Sequence, residues 1–447
     1  TRLLSPHSKS KLAGCILLTG GDVDKVYIHH ASDPLSDGYA HTAFGVYLYY
    51  QHNNDLKAAV KEAALLLDMD YKKPPEDETL LQQGNEIANT FLNANVVELK
   101  PVQVDTVKID CKLPVESLNE VAAWIKGQIG TAPKYSIVQA TLAFACAMAS
   151  RCVRLKDGTS SSTFLAIVAD SAGQIQPLKA ILNSAIDACG DRQIIRGTKI
   201  SGSTCLHKQL LTMPRMFWAT DDYATMINFG KKQQSGAIQG ALSAINEVYL
   251  NNTLYLDKDS IGASFGKKDD GDDKHISEYN IYRPSLTMLS LMSYKHIDFV
   301  AQRDQYSLGS LQRLVIADGG ESVSCERDFD APFPTNVKYV VSSIKKTGSE
   351  FIDIASMNPV QKIAVFDCDN TATLFTHSLN RIKATCSTDE RKDLIGIALG
   401  WCGSFKRLCV ALGAFNNPAS PTINEAIVQW CSNWIVSFRK ITLSFRD

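Results

Sequence analysis

Net charge is nearly absent from this chain. Its 46 Lys and Arg residues stand against 47 Asp and Glu, for a formal net charge of −1. No global field therefore draws the protein to a polyanion, and any contact with nucleic acid would need a local basic patch. Long apolar runs are missing too. No stretch approaches the ~18 uninterrupted apolar residues that would cross a bilayer. Leu12–Thr19 is too short for a secretory h-region and leads straight into Gly20-Gly21. The 12 cysteines form no C-x-x-C pair, which speaks against zinc ribbons and dithiol redox motifs. Cys146, Cys152, Cys402 and Cys409 sit in apolar, helical contexts. That is how reduced thiols serve as small hydrophobes in a cytoplasmic protein. Internal repeats and low-complexity tracts are also absent. The first residue is Thr1 rather than Met, so either an initiator Met was removed or the chain is part of something longer.

What is present is an ordinary globular composition, 45% hydrophobic and 21% charged over 447 residues. At about 100–200 residues per domain this allows roughly two to four domains. Residues 1–72 read as a small α+β unit, with strands at Ile16–Thr19 and Lys25–His29 around Gly20-Gly21-Asp22 and helices at His41–Tyr50 and Leu56–Leu67. A polar, proline-bearing stretch opens a linker and adaptor region over 73–134. Residues 135–330 alternate strand and helix. A long alanine-rich helix at Tyr135–Val153 precedes strands at Thr163–Ala169, Arg215–Thr220, Ser285–Leu291 and Leu314–Ala317. Helices are expected at Gln176–Ala188, from a Ser201-Gly-Ser203 cap to Leu211, at Ser235–Tyr249 and at Tyr294–Asp304. Strand Asn252–Leu256 and the hydrophilic Asp257–Glu278 stretch read as a hairpin with a mobile loop. Such alternation predicts a mainly parallel sheet with helices on both faces. Residues 331–447 are mixed and then helical, with amphipathic stretches at Asp389–Ala414 and Asn424–Lys440.

Three pieces of the central region could carry chemistry. Phe164–Lys179 reads strand, glycine turn, helix, the layout of a phosphate-binding loop, in which backbone N–H groups at a helix N-terminus meet an anion. Asp170-Ser171-Ala172-Gly173-Gln174 supplies the turn, but Gln174 stands where a nucleotide loop carries its lysine. The next cation, Lys179, is more than a helical turn deeper. The same pattern also suits a plain strand-to-helix turn. Next, Met216-Phe-Trp-Ala-Thr-Asp221-Asp222 is an apolar strand ending in two acids, which is how a Mg²⁺-associated carboxylate and a water-orienting one are placed, or simply how a turn is capped. Finally, Arg313 stands just before an apolar strand and is either an arginine finger acting in trans or a surface arginine.

Taken together, the run from Ile137 through Glu321 resembles the primase-associated, helicase-like P-loop ATPases of phages and mobile elements. That family has a loop of the type G-x-G-K-x-x-P-x-K, then a capped S-G-S helix, an apolar strand ending in Asp-Glu, and G-S-x-x-R before a strand. Here the matching positions hold Ala172-Gly-Gln-Ile-Gln-Pro-Leu-Lys179, Ser201-Gly-Ser203, Asp221-Asp222 and Gly309-Ser-Leu-Gln-Arg313. Pro177 and Lys179 match, whereas Gln174 replaces the lysine and Asp222 is one methylene shorter than Glu. The helices from Asp389 look like the family's helical lid, and His41–Ala64 looks like the end of a primase-type module. The resemblance implies a RecA/AAA-type central sheet with a small N-terminal unit and a helical C-terminal lid. It further implies ATP with Mg²⁺, a homo-oligomeric ring, and single-stranded or forked DNA as partner, with no membrane. Ser171, Ala172, Gly173, Gln174 and Lys179 would then hold phosphates, Asp221 the metal, and Asp221, Asp222 and Arg313 the catalytic roles. If the cradle no longer supports turnover, the chain is instead a non-catalytic pseudo-ATPase scaffold for DNA or partner binding and self-association.

A competing motif lies further on. Val365-Phe-Asp367-Cys-Asp369-Asn-Thr371 resembles the D-x-D-x-T loop of haloacid-dehalogenase-like phosphatases, with Asp367 as nucleophile and Asp369 as acid/base. His29, His30 and His41 lack the spacing of metal ligands. Lys231-Lys232 and Lys267-Lys268 offer short basic pairs that could touch a phosphate backbone.

Overall fold

The computed structural model describes residues 2–3, 15–18, 25–28, 40–52, 55, 58–59, 62, 110–169, 175–196, 200–221, 223, 226, 236–256, 280–294, 313–319, 322–348, 351–384 and 393–438. They fall into two compact units, Thr1–Gln103 and Val104–Asp447. In the first, strands β1 (Arg2–Leu3), β2 (Cys15–Leu18), β3 (Lys25–Ile28) and β4 (Ala40–Thr42) form an antiparallel meander, and helix α1 (Ala43–His52) follows directly. Register runs through Cys15↔Ile28 and Lys25↔Thr42. The α+β character expected of the N-terminal region is there. Most of the second expected helix, Leu56–Leu67, and the residues from 63 to 109 lie outside the described set.

The larger unit is mixed α/β. Helix α2 (Glu116–Ile129) buries Leu118, Val121, Ile125 and Ile129 at helical spacing. It ends at Gly130, whose φ of +75° is readily adopted only by glycine and whose missing side chain leaves room for Arg327. This helix lies within the 73–134 region read from the sequence as linker and adaptor, and it packs against the helices of the larger unit. Next come β5 (Thr131–Pro133) and α3 (Lys134–Ala149), of which all but the first two residues are buried. Short β6 (Val153–Arg154) leads to the first long strand, β7 (Phe164–Ala169), then α4 (Pro177–Ala188) and α5 (Ser203–Thr212). Proline at N1 suits the start of α4, since its missing N–H would have no helical partner there. The serine cap expected for α5 is not formed: Gly202 is the N-cap and no side chain bonds the first turn.

β8 (Arg215–Thr220) precedes α6 (Gly236–Leu250) and the antiparallel pair β9 (Thr253–Leu254) and β10 (Ile281–Tyr282). The hairpin expected around the hydrophilic stretch is therefore present, while residues 257–279 lie outside the described set. β11 (Ser285–Ser293), β12 (Leu314–Asp318) and β13 (Ser322–Ser324) follow. Strands β12, β7, β11 and β8 form one parallel sheet in that order. Every residue of β7 and β8 is buried, as are Ser285–Met292 of β11. Strands buried on both faces read as continuous apolar runs, and both faces here are covered. The expected Tyr294–Asp304 helix lies almost entirely outside the description.

The remaining elements are α7 (Thr335–Gly348), β14 (Lys362–Ile363), β15 (Val365–Phe366), α8 (Asp369–Ala384), α9 (Asp393–Asn416), β16 (Thr422–Ile423) and α10 (Glu425–Ser437). No boundary separates them from the sheet at residue 330. α7 joins α2 and α3 around the Trp124–Phe333 and Phe144–Phe333 ring pairs. α10 is capped by Asn424, whose side chain accepts from Ile427 N at 3.0 Å. Its Trp434 donates to Gln139 Oε1 at 3.0 Å, and that glutamine in turn donates to Ala166 O and Val315 O inside the sheet. One buried amide thus joins α3, β7, β12 and α10.

Candidate functional site

Because the four strands are parallel, their carboxyl ends lie along one edge. Ligands of open α/β sheets bind outside that edge, where the strand order reverses. Here the order reverses at β7: the chain leaves it toward β11 and β8 and later returns to its other side as β12. Four strand ends therefore meet at the carboxyl edge, namely Ala169 at the end of β7, Asp221 after β8, Ser293-Tyr294 at the end of β11, and Asp318-Gly319 at the end of β12.

Register fixes their heights. Ala169 pairs with Ser293, and Thr220 pairs with Ser290. Asp221 thus stands roughly two residues lower along the strands than the exit of β7, and one intervening strand places it about 10 Å to the side. Asp221 is exposed. Lys179 lies in the first turn of α4, half-buried. Asp170, Ser171, Ala172, Gly173, Gln174 and Asp222 lie outside the described residues, so the backbone of the expected loop and the second acid have no structural description.

Arg313 is elsewhere. It precedes β12 at the amino end of the sheet, a strand-length of about 16 Å from the carboxyl edge of its own chain. There its Nη1 donates to Asn246 Oδ1 at 2.9 Å and its guanidinium stands 5.7 Å from the Tyr249 ring centroid, while burial draws its pKa below the ordinary value. This is a partly buried, engaged arginine rather than a projecting surface one. The helix expected to form a lid over the loop also packs differently. α9 lies against the amino edge, where Ser404 bonds Arg313 O and Arg407 donates to Ser162 O and Tyr249 O. α10 comes near the carboxyl side, through Trp434 and Phe438 against Tyr135.

Two residues of this edge escaped the sequence reading. The Tyr294 hydroxyl donates to Asp318 Oδ1, bridging β11 and β12 above the exit of β7. Gly319 bonds back to Val168 O at 2.7 Å, and a side chain there would meet Pro133 at 2.9 Å. Nothing local in the sequence reveals the contact of Gly319 with β7.

The competing phosphatase motif is also placed. Asp367 is exposed between β15 and α8, and Thr371 and Cys368 hold its carboxyl below its ordinary pKa by hydrogen bonding. β15 has two residues and pairs only with β16. The D-x-D-x-T segment therefore lies off the parallel sheet. Among the described residues no cluster of three or more His, Cys, Asp or Glu could hold a metal, and no helix is long and apolar enough to cross a membrane. His41 is half-buried, whereas His29, His30, Lys231, Lys232, Lys267 and Lys268 are outside the description. The ten cysteines whose side chains are described are free thiols, and burial pushes Cys152 up to about 11 and Cys189 up to about 12. No protein-family model matches the chain, and no curated protein matches it.

Proposed function

We propose that this chain is an ATP-binding module of helicase/ATPase descent from a phage or mobile-element DNA-replication protein, working in the cytoplasm as a homo-oligomer on single-stranded or forked DNA. The observation that carries the nucleotide part is the parallel order β12-β7-β11-β8, in which the exit of β7 and the acid after β8 share one edge with a single strand between them. A RecA/AAA-type reading needs that juxtaposition. The DNA and oligomer parts rest on the sequence resemblance.

In this reading residues 170–174 turn backbone N–H groups toward the phosphates at the start of α4. Lys179, five residues beyond Gln174, reaches back to supply the missing cation. Mg²⁺ keeps several waters and takes one or two carboxylates plus phosphate oxygens, and the exposed Asp221 fits that demand. Asp222 orients the attacking water. Arg313 stands at the opposite edge from its own loop, so it can serve only a nucleotide held by a neighbouring subunit.

A second reading is favoured by one specific feature. With Gln174 in the lysine position, Asp170 in the same stretch of sequence and Asp318 at the end of β12, the nucleotide reading lacks the positive charge that turnover needs. ATP would then not be turned over, and the chain would act as a non-catalytic scaffold for DNA or partner binding.

Thermal unfolding and phosphate release, each measured with ATP and Mg²⁺, separate the readings. The first expects a rise in melting temperature and steady release. Asp221→Asn should cut release by about 10²-fold or more, as expected for a group that stabilises transition-state charge, and leave the fold intact. A melting shift without release selects the scaffold. No shift with ATP at millimolar concentration sinks the first reading, and the scaffold reading then stands only if DNA binding is retained.

A further inference from the structure

At the amino edge of the parallel sheet, opposite Asp221, lies a cavity of about 170 Å³. Segments far apart in sequence enclose it: the 157–162 turn before β7, the end of α6, the β10–β11 turn, Gln361 before β14, and Arg407 of α9. Its size suits a few-atom ligand, since sites for drug-sized molecules begin at about 300 Å³.

Three independent features mark it. The first is charge: Arg151, Arg283 and Arg407 line it against one carboxylate, Asp157, and Lys406 already pairs with that carboxylate at 2.8 Å. The second is unmet hydrogen bonding. Gln361 is 8% exposed, and neither atom of its amide has a partner; Nε of the fully buried Arg151 and Nε of Arg407 are likewise unpartnered. A buried polar group without a partner carries its full desolvation cost, so such a cluster around one cavity is anomalous for packing alone. The third is backbone strain. Among the described residues, the non-glycine positions with positive φ are Arg151 at +61° and Arg283 at +52°, and both line this cavity. Side chains are held in that conformation at a cost and tend to mark functional sites.

The neighbours explain how the guanidinium groups are held. Arg151 spends both Nη atoms on carbonyls, among them Phe351 O at 3.1 Å and Ile354 O at 2.9 Å. Arg407 is fixed by Ser162 O at 2.8 Å and Tyr249 O at 2.7 Å, with its guanidinium 4.0 Å from the Tyr249 ring centroid. Arg283 donates through Nη1 to Asn252 Oδ1 and Gly158 O. Burial draws the pKa of Arg151 down to about 10 and lowers that of Arg283, in the second case helped by Arg154. Both stay charged at neutral pH, in surroundings that favour a compensating anion.

We propose that this cavity binds a small tetrahedral oxyanion of the inorganic-phosphate class, with Gln361 Nε2 and the guanidinium groups as donors. The bound ion ties α9 to the turns that begin β7 and β11, so it couples the C-terminal helices to the sheet. The assignment does not depend on the nucleotide reading, which concerns the other edge.

The test uses the full chain, with inorganic phosphate titrated against sodium chloride at matched ionic strength, followed by calorimetric binding and thermal unfolding. Phosphate should bind saturably at one site and raise the melting temperature, and chloride should not. Arg283→Gly removes the guanidinium while easing the backbone at positive φ, and Gln361→Leu removes the orphan amide at similar volume. Arg283→Gly should keep the phosphate-free melting temperature of the parent and Gln361→Leu should match or raise it, and both should lose at least tenfold in phosphate affinity. Equal responses to phosphate and chloride would overturn the proposal. So would binding that survives both variants but is lost in Lys179→Ala, because the ion would then sit at the carboxyl edge. A single-stranded oligonucleotide should leave the bound phosphate in place; displacement would assign the site to a nucleic-acid phosphodiester and overturn the free-ion assignment.

Discussion

At the scale of single residues, the largest electrostatic commitment is a buried ion cluster behind the sheet. Arg215, fully buried at the start of β8, reaches Asp191 at 2.7 Å and Asp353 at 2.7 Å, and Lys345 joins Asp191 at 3.1 Å. Burial opposes the Arg215 charge, but the two carboxylates overcome it and raise its pKa above the ordinary value. Removing one partner of such a pair strands a buried charge, which costs about 3–5 kcal/mol. Asp191→Ala should therefore lower unfolding stability by about that amount in denaturant titration, with no effect on ATP or phosphate binding beyond the loss of folded protein. Gln139 is a similar case among neutral groups. In Gln139→Leu the indole N–H of Trp434 and two sheet carbonyls lose their partner, and the expected loss is about 1–3 kcal/mol. No stretch of sequence around Gln139 or Arg215 shows these partnerships, because each partner lies far along the chain.

At the scale of elements, ends decide more than middles. The start of α10 was legible, since Asn424 precedes an apolar-periodic run, and its cap bond is formed. Asn424→Ala should cost about 1 kcal/mol, read as a shift in unfolding midpoint. The Ser201-Gly-Ser203 start of α5 was misjudged: the hydroxyls were expected to cap it, but the N-cap position fell on Gly202. Position relative to the first turn, not the presence of serine nearby, determines whether a cap forms. The exit of β12 shows a different constraint. Gly319 lies so close to Pro133 and Val168 O that Gly319→Ala must shift the β5–β12 contact, an overpacking cost of about 1–3 kcal/mol. Because that contact lies beside the exit of β7, the same variant should also weaken ATP binding if the carboxyl edge is the nucleotide site.

At the scale of the whole molecule, the compact units divide at Gln103 and Val104. The larger unit holds the parallel sheet, the helices α2 to α10 and the amino-edge cavity, so a chain starting at Val104 should unfold cooperatively by itself and retain phosphate binding. A broad, non-cooperative melt of that fragment by circular dichroism would show that the first unit is needed for the fold. The C-terminal helices belong to this unit and not to a separate lid. α9 contacts the sheet at Ser404 and Arg407, and the stacked Trp430–Trp434 pair of α10 continues onto Tyr135 of α3.

The amino-acid sequence by itself determined what is local. The apolar runs Phe164–Ala169, Met216–Ala219 and Leu314–Ala317 are strands because β-rich residues buried on both faces need no alternation, and α4 starts where Pro177 permits it. Such preferences act over a few residues and leave a periodic trace. Tertiary structure alone decided the order β12-β7-β11-β8, which brings Asp221 to the edge of the β7 exit, sends Arg313 and α9 to the opposite edge, and gathers Arg151, Arg283, Gln361 and Arg407 around one cavity. Crossover connections and burial of both sheet faces select that order. Their energies come from contacts between residues far apart in the sequence, such as Ser285 with Arg215 and Leu314 with Phe164, which no local pattern records.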